Sequence, residues 1–183
     1  MNQHFNLKAS LLVAAVMAFS AAHAATMTKV DYKAGKTSIG TTYKADKAAC
    51  AALSGNTKDI CHEEAKAKEN IALAELEFNY TGKATDQTKL MKVKAKSAYA
   101  VAKEKCDDKA GNEKDICVKE AKAVEVKALA DAKMGKQIGE AKVDAAETKT
   151  DANYKVAAEK CDALTGDAKS SCMAAAKAKF GKN

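Results

Sequence analysis

The chain has no arginine, no proline and no tryptophan among its 183 residues, and aromatic residues make up only 5% of it. Without arginine, the side chain suited to planar bidentate phosphate recognition is missing, which argues against a nucleic-acid reader. Large apolar side chains are scarce as well. Beyond residue 24, only 21 of 159 residues are Leu, Ile, Val or Phe. That is about 13%, below the roughly 20% at which charged chains tend toward disorder. These absences exclude an ordinary large-core enzyme domain and an integral membrane protein. What is present is alanine and lysine: 41 alanines, and lysine as all 31 basic residues, against 24 acids.

Residues 1–24 read as a secretory signal peptide. Lys8 supplies the positive n-region, and Leu11 to Ala22 is an apolar run of 12 residues, too short to span a bilayer. Ala22-His23-Ala24 is the small-x-small pattern that places cleavage before Ala25. The expected product keeps 30 lysines against 24 acids and has no transmembrane segment. All six cysteines fall in this exported part, and an even count in an oxidising compartment favours disulfides over metal thiolates.

The cysteines come as Cys50/Cys61, Cys106/Cys117 and Cys161/Cys172, each pair with ten residues between. Tyr43, Tyr99 and Tyr154 stand seven residues before the first cysteine of each pair, and Gly55, Gly111 and Gly166 five after it. Ala65-Lys66, Ala121-Lys122 and Ala176-Lys177 follow the second cysteine at one offset, so the unit recurs at steps of 56 and 55 residues. A fixed period of this kind marks a repeat architecture. Each tyrosine shares a helix face with its cysteine. The glycine ends that helix as a left-handed C′ residue, and Asn56, Asn112 or Asp167 caps a return helix.

The cysteines of each pair are equidistant from the Gly-Asn or Gly-Asp turn, so they lie opposite one another in an antiparallel αα-hairpin. The expected bridges are Cys50–Cys61, Cys106–Cys117 and Cys161–Cys172. They act as structural staples for a thin core, since nothing resembles the Cys-x-x-Cys arrangement that tunes a thiol.

The fold expected is all-α, with three disulfide-closed αα-hairpin repeats. The sequence leaves open whether they form an elongated array or a loose helical bundle. The predicted organisation is a mobile leader over 25–42 and repeats over 43–82, 83–137 and 138–183. Helices are expected over 57–80, 88–110, 113–134, 140–165 and 167–180, with Gly135 and Gly139 interrupting between the third and fourth. Met91, Ala95, Tyr99, Ala102 and Cys106 form one stripe, and Cys117, Ala121, Val124 and Ala128 another. Acid–lysine pairs four apart, Glu64/Lys68, Asp115/Lys119 and Asp151/Lys155, are expected to support the exposed faces.

No catalytic, metal or cofactor site can be assembled. His62 is the one histidine beyond residue 24, and the other repeats place Val118 and Met173 there. A triply repeated catalytic site is thereby excluded. Gly35-Lys36-Thr37 imitates the end of a phosphate-binding loop, but Val30 stands where its first glycine belongs. The acid pairs Glu63-Glu64 and Asp107-Asp108 are read as solvated. Tyr43, Tyr99 and Tyr154 are candidate repeated contacts for a partner, or covers for the sparse face beside each disulfide.

The stretches Tyr99-Ala-Val-Ala-Lys-Glu-Lys-Cys106 through Gly111 to Cys117, and Tyr154-Lys-Val-Ala-Ala-Glu-Lys-Cys161 through Gly166, resemble small exported proteins of Burkholderia-type beta-proteobacteria. Members of that family are sometimes labelled TolA-like or cell-envelope proteins. The resemblance runs from about Tyr43 to the C-terminus. It implies a periplasmic location and brings no activity and no functional residues. The function expected is non-catalytic: an envelope-associated interaction or scaffolding protein, with a holdase-like chaperone as the alternative. An envelope protein or an anionic cell-surface component is the expected partner, nucleic acid is not, and a homo-oligomer stays open.

Overall fold

A computed structural model describes residues 27–182. The expected signal segment 1–24 and its cleavage before Ala25 lie outside them. Five helices follow in order: α1 (Lys29–Ala49), α2 (Gly55–Thr81), α3 (Ala84–Cys106), α4 (Gly111–Asp162) and α5 (Gly166–Phe180), with one 3-10 turn over Cys50–Ala52. No strand occurs among the described residues. All three expected disulfides form, with Cα–Cα separations of 5.7, 5.7 and 5.6 Å, inside the normal range for a bridge.

Each helix packs against its neighbours in sequence and against no other. The hairpins α1/α2, α3/α4 and α4/α5 are closed by disulfides, whereas α2/α3 turns at Gly82, whose φ of 63° caps α2. The result is an open array rather than a closed bundle. Charge explains part of this order. α1 carries five lysines against two acids, α2 three against six, α3 six against two, α4 ten against eleven and α5 three against one. Neighbours therefore alternate in sign, while α1 and α3, both strongly basic, repel each other. Ion pairs bridge the neighbours: Lys68–Asp46 at 3.4 Å, Lys94–Glu75 at 2.7 Å and Lys105–Glu64 at 2.7 Å.

The interior is made of small side chains. The buried apolar residues are Ala65, Ala74, Ala95, Ala132 and Ala176, together with the first cysteine of each pair. Alanines at helix contacts allow close approach, but each removes little apolar surface from water. The three fully buried side chains of largest volume are Cys50, Cys106 and Cys161. The disulfides are thus the centre of each hairpin's core as well as its covalent closure.

Several expectations need correction. Residues 29–42, expected within a mobile leader, belong to α1. Thr28 accepts from the Asp31 amide and the Asp31 carboxylate accepts from the Thr28 amide, a capping box that starts the helix. Gly35 then serves the packing, because a Cβ there would lie 2.8 Å from Leu76 Cδ1 of α2. Gly135 and Gly139 do not interrupt α4, which runs through 52 residues, about 78 Å at 1.5 Å per residue. A glycine costs a helix only about 1 kcal/mol, and alanine and lysine on both sides absorb that. The expected boundary between 137 and 138 therefore falls inside α4.

The hairpin turns also differ. Gly55, Gly111 and Gly166 have the positive φ expected, at 56°, 54° and 58°, but they open the return helices instead of ending the preceding ones. Asn56, Asn112 and Asp167 are not caps; the cap positions are Ser54, Ala110 and Thr165. Met91 and Val124 are exposed, and the buried stripe of α4 runs instead through Glu125 and Ala132. None of the three expected acid–lysine pairs forms. Glu64 reaches Lys105 and Lys68 reaches Asp46, because a neighbouring helix presents the opposite charge, and Asp151 reaches Lys182 just past the end of α5.

Candidate functional site: a lysine-rimmed groove across three helices

The repeated tyrosines are half-buried and each is used within its own hairpin. The Lys122 amine lies 4.8 Å from the Tyr99 ring centroid and pairs with the buried carboxylate of Glu125 at 2.6 Å. That hydrogen bond raises the Lys122 pKa above its ordinary value, with the negative charge of Glu125 adding to it against desolvation. Tyr154 meets Phe180 edge-on at 6.4 Å. Tyr43 lines a shallow depression with Asp46, Ala65, Lys68 and Glu69. Glu69, Glu125 and Phe180 all stand eight residues after the second cysteine, so the repeat places an equivalent position near each tyrosine but fills it with different chemistry. The rings sit on α1, α3 and the second half of α4, and they do not converge.

The other singled-out residues have structural partners. Glu63 pairs with Lys66 at 2.9 Å. Asp107 pairs with Lys114 at 3.1 Å. Asp108 accepts from Asn56 Nδ2 at 2.8 Å, which also donates to the Glu104 carbonyl at 2.9 Å. Asn56 thus ties the first disulfide turn to the second. His62 is half-buried, with Nδ1 lacking a hydrogen-bond partner. Among the described residues no group of three or more His, Cys, Asp or Glu is placed to hold a metal ion.

What the structure does bring together is a groove of about 430 Å³ over α2. Leu73 and Ala74 of α2 form its floor with Val93 of α3. Lys36 of α1 stands on one wall, and Lys89 and Lys96 of α3 on the other. None of these three amines makes an ion pair with a described residue. One end is closed by a polar aromatic cluster. Tyr32 stacks on Tyr80 with centroids 4.5 Å apart, its hydroxyl donates to Glu77, and Lys36 lies 5.3 Å over its ring. The hydrogen bond to Glu77 raises the Tyr32 pKa, with desolvation and the Glu77 charge acting in the same direction.

The sequence alone does not show this groove, because its walls come from two helices that do not pack on each other and most of α1 reads as a leader. The available signals were the Thr28/Asp31 capping pattern and the Lys89/Val93/Lys96 spacing on one helix face. No protein-family model matches the chain, and neither a curated protein nor a solved structure shows significant similarity to it.

Proposed function

We propose that this chain works outside the cytoplasm as a non-catalytic interaction or scaffolding protein of the bacterial envelope. The observation that carries this reading is the open, disulfide-closed array itself. The first of three stapled hairpins joins the second at the Gly82 turn, and the second and third share one 52-residue helix, leaving long helical faces and a basic groove without an internal partner. Disulfides fit an oxidising compartment. The N-terminal signal pattern supports export to the periplasm, and no helix among the described residues is long and apolar enough to cross a membrane. The lysine excess supports attraction to an acidic envelope component.

The holdase reading draws on Val124, Met134, Ile138 and Val156, which α4 exposes by about half or more. They stand singly among charged residues, which favours a specific contact over broad capture of unfolded chains. The test is amine cross-linking in intact cells followed by mass spectrometry of the tagged protein. One recurrent envelope partner is the expected result. A spread of unrelated exported proteins would replace scaffolding by chaperoning, and cross-links to itself alone would reject a hetero-partner.

A further inference from the structure

We propose that the groove over α2 docks an acidic amphipathic helix of a partner protein. This rests on the interaction-protein reading and gives the partner a chemistry.

Charge is the first argument. Within the chain every helix lies beside one of opposite sign, and the groove is the place where that alternation is left incomplete, walled by the two most basic helices. The three amines at its rim outnumber the single carboxylate, Glu77, which the Tyr32 hydroxyl already engages. A segment seated there continues the pattern only if it is negative. Lysine is suited to this role, since it neutralises carboxylates as a point charge without demanding planar geometry.

Shape is the second argument. The floor residues Asn70 to Glu77 and the wall residues Lys89 to Lys96 each cover about two helical turns. α1 and α3 both pack on α2 and not on each other, which leaves the face of α2 between them free for a rod-shaped segment. Its apolar strip is narrow, Leu73, Ala74 and Val93, and suits one or two apolar side chains four residues apart on a helix. Carboxylates flanking those side chains would meet Lys36 on one side and Lys89 and Lys96 on the other. The groove opens to solvent beyond the closed Tyr32 end, unlike an enclosed pocket for a small ligand or a lipid chain.

The test uses the oxidised protein and two dye-labelled 16-residue helical peptides. One has leucines four apart flanked by glutamates; the other has lysines in place of the glutamates. The acidic peptide is expected to bind saturably at one per chain and to shift amide resonances only within residues 32–36, 70–77 and 89–97. Lys36→Glu/Lys89→Glu/Lys96→Glu is expected to weaken it at least tenfold. Lys142→Glu/Lys149→Glu/Lys155→Glu, the same charge change elsewhere, is expected to stay within twofold. All six lysines are exposed, so circular dichroism should be unchanged in both variants.

Equal weakening by the two triple variants, or equal binding of the lysine peptide, would overturn the proposal. So would anionic phospholipid vesicles that bind through Lys36, Lys89 and Lys96 and displace the peptide, because the ligand would then be a membrane surface. A failed peptide experiment beside one recurrent cross-linked partner in cells would reject the groove alone. Failure of both would reject the interaction reading too.

Discussion

Removing the third disulfide should release α5 and little else. α5 has 15 residues and contacts only α4. A lone helix of that length is marginal in water. Its docking includes buried Ala176, the Tyr154–Phe180 edge contact, the Lys169–Asp162 pair at 2.9 Å, the Lys182–Asp151 pair just past its end and the bridge. The aromatic pair is worth about 0.5–1.5 kcal/mol. An exposed ion pair adds about 0.2–1 kcal/mol. A bridge across a sequence separation of 11 contributes about 3 kcal/mol in the chain-entropy model, more than either. Hydrogen exchange read by mass spectrometry tests this in Cys161→Ser/Cys172→Ser. Amides of 166–180 should lose nearly all protection, and the helical ellipticity at 222 nm should fall by about a tenth. In Cys106→Ser/Cys117→Ser, by contrast, α3 should stay protected, since it is held by α2 as well as α4. Retained protection of 166–180 in the first variant would refute the reasoning and assign the docking to packing.

Gly35→Leu should lower stability by about 1–3 kcal/mol, because its side chain must displace Leu76. Gly139→Ala, in open space, should raise it by about 0.5–1 kcal/mol; thermal melts of the two variants should move in opposite directions. Residues 133–149 are exposed on every side, so limited trypsin digestion should cut first within them and leave two disulfide-containing fragments. A first cut within 58–105 would contradict that ordering. The Tyr32 phenol titrates above its ordinary value of 10.0 because its neutral form donates to Glu77. The stabilisation it contributes is present below the unfolded pKa and is lost as pH rises through the higher folded one. Absorbance at 295 nm should show a late-titrating phenol that disappears in Tyr32→Phe.

The periodic parts of the molecule were legible because their cause is local. Equal spacing about a Gly-Asn or Gly-Asp turn puts two cysteines opposite each other whatever the rest of the chain does, so all three bridges could be read. The glycines show the limit of that reasoning. At 55, 111 and 166 glycine meant a positive φ, at 135 and 139 it meant nothing for the path of α4, and at 35 it meant room for Leu76. One residue type has three uses, and only the neighbouring helix distinguishes them. The ion pairs behave likewise. Lysines pair within their own helix, as Lys66 with Glu63, and across to a neighbour, as Lys94 with Glu75, and which occurs depends on the helix that lies alongside.

By itself the sequence determined the helical class, the triple repeat, the bridge pairing and the small alanine interior, since propensity, period and side-chain volume are properties of the residues. Tertiary structure alone decided that α1 continues the array, that α4 is one rod and that like-charged α1 and α3 stand apart around a groove. Those outcomes depend on which helices become neighbours. In a chain with so few large apolar side chains, that choice rests on charge, small-residue fit and three covalent bonds rather than on a hydrophobic pattern visible in one helix at a time.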